Sequence, residues 1–203
     1  MSNETHTSRA VLIFLSIILC ITVLNLFLTL YVMFVMTNKA KFNFRAGDTY
    51  RFGKYHDSAI TWLVLDVDDE NNRALLITKN ALFERKFDDS SNSWPDSNIY
   101  KYLNGSNSPI NFSEEEAGKI YTDPERGRIF LLSTDEAGNS DYFADDDARK
   151  CNFKGLACYW WLRSSGNSGN YASVVSSSGK IDLFGDRVSN NDIAIRPALW
   201  INP

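Results

Sequence analysis

Residues 10–36, AVLIFLSIILCITVLNLFLTLYVMFVM, contain no Asp, Glu, Lys, Arg or His, and this run constrains the chain more than any other feature. As an α-helix it extends roughly 40 Å at about 1.5 Å per residue. That length crosses a hydrocarbon core of about 30 Å with some tilt. Ser16, Thr22, Asn25 and Thr29 are its polar members. Hydroxyls are tolerated because they bond back to helix carbonyls. Asn25 is the costliest of the four and a candidate helix–helix contact. A cleaved signal peptide has an apolar region of about 7–15 residues before a small-residue cleavage site. This run is longer and ends in VMTNKAKF. The expected organisation is an N-terminal tail over residues 1–9, a transmembrane helix in membrane lipid over 10–36, a juxtamembrane linker over 37–46 and one domain over 47–203.

Orientation follows less directly. Arg9 precedes the run, and Lys39, Lys41 and Arg45 follow it. Read literally, the positive-inside rule places the domain in the cytoplasm, but long domains translocate largely regardless of flanking charge. The chain holds 21 Lys and Arg against 25 Asp and Glu, and no basic cluster stands out in the domain. A nucleic-acid partner requires a concentrated basic surface and is not expected.

The domain opens on strand signals. TYRFGKY alternates, and Ile60–Val67 with Arg73–Lys79, either side of the polar DDENN, predict an antiparallel hairpin. In SNIYKYLNG, Ile99, Tyr102 and Leu103 recur at helical spacing, with Ser97 as N-cap and Asn104-Gly105 as stop. NFSEEEAGKIY carries Ser113 with Glu116 three residues on, a capping box. RIFLLST is a strand candidate and STDEAGNSDYF another capped turn. From Tyr159 onward, YWWLRS, YASVVSS, KIDLFG and IAIRPALWI read as short strands punctuated by glycine. The fold class expected is α+β, with strand pairs at each end, two or three short helices between them and one core.

Catalytic and metal patterns are weak. DVDDENN holds Asn71 and Ile77 where a calcium-binding loop needs glycine and glutamate. Asp145, Asp146 and Asp147 read as a solvated helix start. Histidine occurs only at positions 6 and 56, and His56, Asp57 and Ser58 are sequence neighbours rather than a converging triad. No carboxylate pair is singled out for glycoside hydrolysis. No metal, cofactor or catalytic residue is expected. Cys151 and Cys158 flank NFKGLA, a spacing that fits neither C-x-x-C nor a zinc pair. They are a candidate disulfide outside a cell and a pair of free thiols inside one.

The C-terminal third carries the candidate site. Trp160 and Trp161 are adjacent on a strand, so they face opposite ways: one inward, the other towards a second layer or a ligand. Pro197 removes a ladder donor, so the strand IAIRPALWI must bulge or lie at an edge. Arg163 and Arg196 stand in apolar strands, and a buried guanidinium must find acceptors for five donors. Carbonyls of irregular loops serve that purpose. Arg163 and Arg196 are therefore expected as structural staples. Trp161, Asn167, Asn170, Tyr171, Ser173, Phe184, Asp186 and Asn190 are expected as ligand contacts, because Tyr, Ser, Gly and Asn together have the composition of a paratope.

ITWLVLDV, RALLITKNAL, SNIYKYLNG, FSEEEAGKI, IFLLSTDEA, WWLRSSG and IRPALWIN occur here in that order. Together they resemble a bacterial family known as domain of unknown function 6273, over about Gly47 to Asn202. That family is in turn similar to the C-type-lectin-like fold of formylglycine-generating enzymes and of the variable proteins of diversity-generating retroelements. There, a Trp- and Arg-bearing strand and a closing Arg strand frame the ligand-facing residues. The resemblance implies Trp160–Arg163 and Arg196-Pro197 as the frame. It also implies a non-catalytic binding domain displayed outside the bacterial cell membrane, with an unknown glycan, peptide or protein as ligand. The spacing of Cys151 and Cys158 does not match the copper-binding pair of the oxidases. Two other readings stay open: an oxidase of the formylglycine-generating type with one of these cysteines reactive, and a structural subunit that assembles through the membrane helix with Asn25.

Overall fold

The computed structural model describes residues 2–37 and 44–202, and within the first helix the side chains of residues 12–35. Met1, Pro203 and residues 38–43 of the expected linker lie outside the described residues. The chain divides into two compact units, Met1–Lys41 and Phe42–Pro203.

The first unit is the helix α1, Ser2–Thr37. No Gly or Pro interrupts these residues, so the helix also takes in residues 2–9, which were expected as a tail. Leu12–Val35 is its apolar stretch, 24 residues with a mean hydropathy of 2.6. It is about 36 Å long at about 1.5 Å per residue. That is long and apolar enough to span a membrane or to act as a signal sequence. Its Ser and Thr hydroxyls bond internally: Ser16 Oγ donates to the Ile13 carbonyl, Thr22 to Leu19 and Thr29 to Asn25, at 2.7–2.8 Å.

The second unit is α+β. Its elements are β1 (Thr49–Tyr55), β2 (Ser58–Asp68), β3 (Arg73–Thr78), β4 (Phe83–Glu84), α2 (Asn98–Asn104), β5 (Ile110–Asn111), α3 (Glu114–Lys119), β6 (Ile120–Tyr121), α4 (Thr134–Gly138), α5 (Asp146–Arg149), β7 (Asn152–Phe153), β8 (Leu156–Ala157), β9 (Trp160–Ser165), β10 (Tyr171–Val175), β11 (Ile181–Arg187), β12 (Ala194–Ile195) and β13 (Ala198–Ile201). One sheet has the order β5-β1-β2-β3-β13-β6, a second β11-β10-β9-β12-β4, and β7-β8 is a separate hairpin. The pairings are antiparallel except that of β9 with β12.

Local chemistry sets the helices. Ser97 accepts the Tyr100 N–H and starts α2. Ser113 with Glu116 and Ser133 with Glu136 form capping boxes on α3 and α4, each satisfying two donors left free at a helix start. RIFLLST, by contrast, is not a strand. It makes one isolated bridge, Phe130 to Ala198, and Ile129–Leu132 are buried. Its carbonyls are taken from several directions, Ile129 by Asn104 Nδ2 and Leu131 by Arg163, so no continuous ladder forms.

The C-terminal strand also departs from expectation. IAIRPALWI is not one bulged strand. The chain leaves the second sheet after Ile195 and enters the first at Ala198, so Arg196-Pro197 is the crossing between sheets. Proline suits that step because it has no N–H to place in either ladder. Its carbonyl still accepts the Thr78 N–H at 2.9 Å.

Trp160 and Trp161 do face opposite ways, and both are fully buried because both faces of β9 are covered. Trp160 Nε1 donates to the Arg149 carbonyl at 3.2 Å and Trp161 Nε1 to the Arg85 carbonyl at 2.9 Å. Trp161 also meets Phe87 edge-on, with centroids 5.8 Å apart. Large indoles with satisfied N–H groups are where burial contributes most, and truncation of such a residue costs about 3–5 kcal/mol.

Candidate functional site

β9, β10 and β11 lie side by side, and the 166–170 loop joins the first two. β11 is the sheet edge. Leu183 and Phe184 are adjacent on it, and both project into solvent, 63% and 71% exposed. Tyr171 begins β10 opposite Arg187, and Arg187 Nε donates to the Tyr171 hydroxyl at 3.2 Å. Asn167 and Asn170 are exposed on the loop. These residues form one rim.

Local bonds hold the rim in shape. Gly166 N–H donates to the Tyr171 carbonyl at 2.7 Å, Tyr171 N–H to Ser168 at 3.0 Å and Asn167 N–H to Phe184 at 3.1 Å. Asn92 reaches in from the segment before α2. Its backbone N–H donates to the Gly169 carbonyl at 3.0 Å, and its Nδ2 to the carbonyls of Ser168 and Tyr171, both at 2.9 Å. Gly185 has φ +75°, and a Cβ there would stand 2.1 Å from the Ala172 carbonyl oxygen. This position requires glycine. The register between β10 and β11 shifts at this point, and Asp182 Oδ1 accepts the N–H groups of Phe184 and Gly185. Edge donors that would otherwise invite another strand are thus used locally, and the bulge displays Phe184.

The segment carrying Asn92 is built around Asp88, 8% exposed. Its carboxylate accepts N–H groups from Ser90 and Ser91 at 3.0 Å and from Asn98 at 2.9 Å. Burial pushes the Asp88 carboxyl up, but these N–H donors together outweigh it and leave it below its ordinary value.

The expected contacts divide. Asn167, Asn170, Tyr171 and Phe184 lie on the rim. Asp186 is half-buried beside it and accepts the Arg187 N–H. Asn190 belongs to the turn after β11, where its side chain accepts the Asp192 N–H at 2.9 Å. Trp161 and Ser173 are fully buried and meet no solvent. Ser173 Oγ donates to the Ser165 carbonyl at 2.9 Å, tying β10 to β9. Both are framework, not contact residues. Leu183, Arg187 and Asn92 were not among the expected residues. The adjacent apolar pair Leu183-Phe184 was the available sign, since neighbours on a strand cannot both face one core.

The two arginines are staples, but not of the rim. Arg163 donates to the Leu131 carbonyl at 2.9 Å and pairs with Glu136, which also holds Arg126 at 3.0 Å and caps α4. Arg196 is 2% exposed. Its Nε donates to the Thr78 carbonyl at 3.0 Å and its NH1 to the Arg149 carbonyl at 3.2 Å, and its guanidinium lies 5.1 Å from the Trp160 ring centroid. It therefore ties the crossing between sheets to β3 and α5.

Near that crossing lies the β7–β8 hairpin. Lys154 and Gly155, both at positive φ, make its two-residue turn. Cys151 and Cys158 stand opposite each other at its base as free thiols. Cys158 N–H donates to the Cys151 carbonyl at 3.0 Å. A hydrogen bond from Cys158 outweighs burial and, with the Arg196 charge, brings the Cys151 thiol down to about 7. The Cys158 thiol is pushed up by donating to Cys151 and by burial.

Compared with known proteins, residues 71–203 match the sequence model of the domain of unknown function family DUF6273. The match starts in the β2–β3 turn and so omits β1 and β2, which the expected resemblance included. No curated protein and no solved structure matches the chain.

Proposed function

The chain belongs to the DUF6273 family, and we propose that it is a membrane-anchored, non-catalytic recognition module of a bacterial cell surface. In this reading α1 is the anchor, the α+β unit is lectin-like, and the rim meets the ligand. The observation that carries it is the exposure of Leu183 and Phe184 on a rim that hydrogen bonds have already ordered. Binding costs fall when contact groups are held in place beforehand. Phe184 is the anchor, Leu183 extends the apolar area, and Tyr171, Arg187, Asn167 and Asn170 supply polar contacts around it. The order of the frame motifs and the crossing at Arg196-Pro197 support the lectin-like reading.

The test is binding of the full chain in lipid nanodiscs to glycan and peptide arrays, with Phe184→Ala as the comparison. An aromatic anchor truncated at the centre of an interface costs about 2 kcal/mol or more, roughly a thirtyfold loss of affinity. Equal binding by the variant would remove the rim from the reading. Full protection of the domain from added protease in intact cells would remove surface display.

A further inference from the structure

Cys151 and Cys158 flank the β7–β8 hairpin just beyond the Asn152–Ala157 pair, and the Cys158 N–H donates to the Cys151 carbonyl at 3.0 Å. Residues facing each other in a hydrogen-bonded antiparallel pair have Cα atoms about 5.5 Å apart. A disulfide needs about 4.4–6.8 Å. The hairpin thus sets two free thiols opposite each other. Their surroundings differ. Cys151 is 2% exposed. Cys158 is half-buried and lines a cleft of about 350 Å³ with Glu84, Phe153, Leu156, Tyr159 and Asp192. One sulfur can therefore be reached from solvent, and the other waits behind it.

Arg196 supplies the charge. Its guanidinium is buried beside the pair and, among the described residues, makes no ion pair with an Asp or Glu. Its charge acts on both sulfurs. A buried cation without a carboxylate partner favours a thiolate next to it. The Cys158 thiol lies 3.4 Å from the Cys151 carbonyl, to which it donates.

We propose that Cys151 and Cys158 are a redox-active dithiol that exchanges with an incoming disulfide, Cys158 receiving it in the cleft and Cys151 closing the intramolecular bond. In the first step Cys158, its proton lost to solvent in the cleft, attacks one sulfur of R–S–S–R as the thiolate. The R–S–S–R bond breaks, R–S⁻ leaves, and a Cys158–S–S–R mixed disulfide forms. The departing R–S⁻ then takes the thiol proton of Cys151. In the second step the Cys151 thiolate attacks Cys158 Sγ, and the second R–S⁻ leaves. Two protein sulfurs are oxidised to one disulfide, and the incoming disulfide is reduced to R–SH and R–S⁻.

The full chain carrying Cys20→Ser, in detergent micelles, would be equilibrated across ratios of reduced to oxidised glutathione. It would then be acid-quenched, alkylated with N-ethylmaleimide and mapped by mass spectrometry. The expected result is an intramolecular Cys151–Cys158 disulfide whose fraction rises and falls reversibly with the ratio. In a second arm, Cys151→Ser accumulates glutathione on Cys158, whereas Cys158→Ser leaves Cys151 at least tenfold slower to react. The first arm keeps both cysteines, so it stands even if a serine variant fails to fold. The proposal is overturned if both thiols stay alkylatable at the oxidising end. It is equally overturned if the bond resists excess dithiothreitol in the folded protein, or if Cys151 takes up glutathione as fast as Cys158.

Discussion

Replacing Arg196 by methionine tests how the two sheets are joined. Methionine keeps much of the unbranched stem against Trp160 and Phe143 but removes the guanidinium. The Thr78 carbonyl loses its Nε donor in a fully buried residue, and an orphaned buried acceptor costs about 1–3 kcal/mol. The Arg149 carbonyl loses less, because Trp160 Nε1 still donates to it at 3.2 Å. The contact of the charge with the Trp160 face contributes about 1–2 kcal/mol more when desolvated. Relief of the buried charge acts in the opposite direction and can be large. The net expectation is a loss of about 2–3 kcal/mol, because methionine supplies no donor to replace the one that the Thr78 carbonyl loses. For a domain of this size that lowers the unfolding midpoint by roughly 4–12 °C. Thermal unfolding of the full chain in micelles, followed by tryptophan fluorescence, reads this directly: all five tryptophans are buried in the domain, and Trp160 touches the site. An unchanged or higher midpoint would refute the view that Arg196 holds the crossing.

Three further outcomes follow from the rim and its support. Asn92→Ala removes both side-chain bonds to Ser168 and Tyr171, so amide exchange at Asn167 and Tyr171 should accelerate about tenfold while the global midpoint falls by no more than about 1–2 kcal/mol equivalent. Gly185→Ala forces a side chain into a positive φ and against the Ala172 carbonyl, and should destabilise by about 1–3 kcal/mol or more in denaturant titration. Asp88 has a lowered folded pKa, so its contribution is fully present above the unfolded value near about 3.9 and is lost as pH falls through the folded value. Asp88→Asn should therefore lower stability at pH 7 and flatten its decline between about pH 5 and 2, as measured by urea unfolding at each pH.

What could be read in the chain alone was what short-range chemistry decides. The apolar run, the caps at Ser97 and Ser113 and the β2–β3 hairpin depend on residues a few positions apart, and each stands where local rules put it. Arg163 and Arg196 were also legible as staples, since a guanidinium in an apolar strand has few other fates. Their targets were not. Arg196 meets Thr78 across 118 residues and Asn92 meets Tyr171 across 79, and no local pattern encodes such partners. The same holds for burial: Trp161 and Ser173 alternate properly on their strands, but only the packing of layers on both faces of the second sheet placed them inside. RIFLLST has every mark of a strand and yet forms none: side chains take the Ile129 and Leu131 carbonyls, while those of Phe130 and Leu132 go to the backbone of two different segments. The chain thus determined its elements and its apolar N-terminal helix by local propensity and hydrophobicity. The tertiary structure decided which sheet each strand joins and which aromatic residues face water, because those depend on contacts between segments far apart in the sequence.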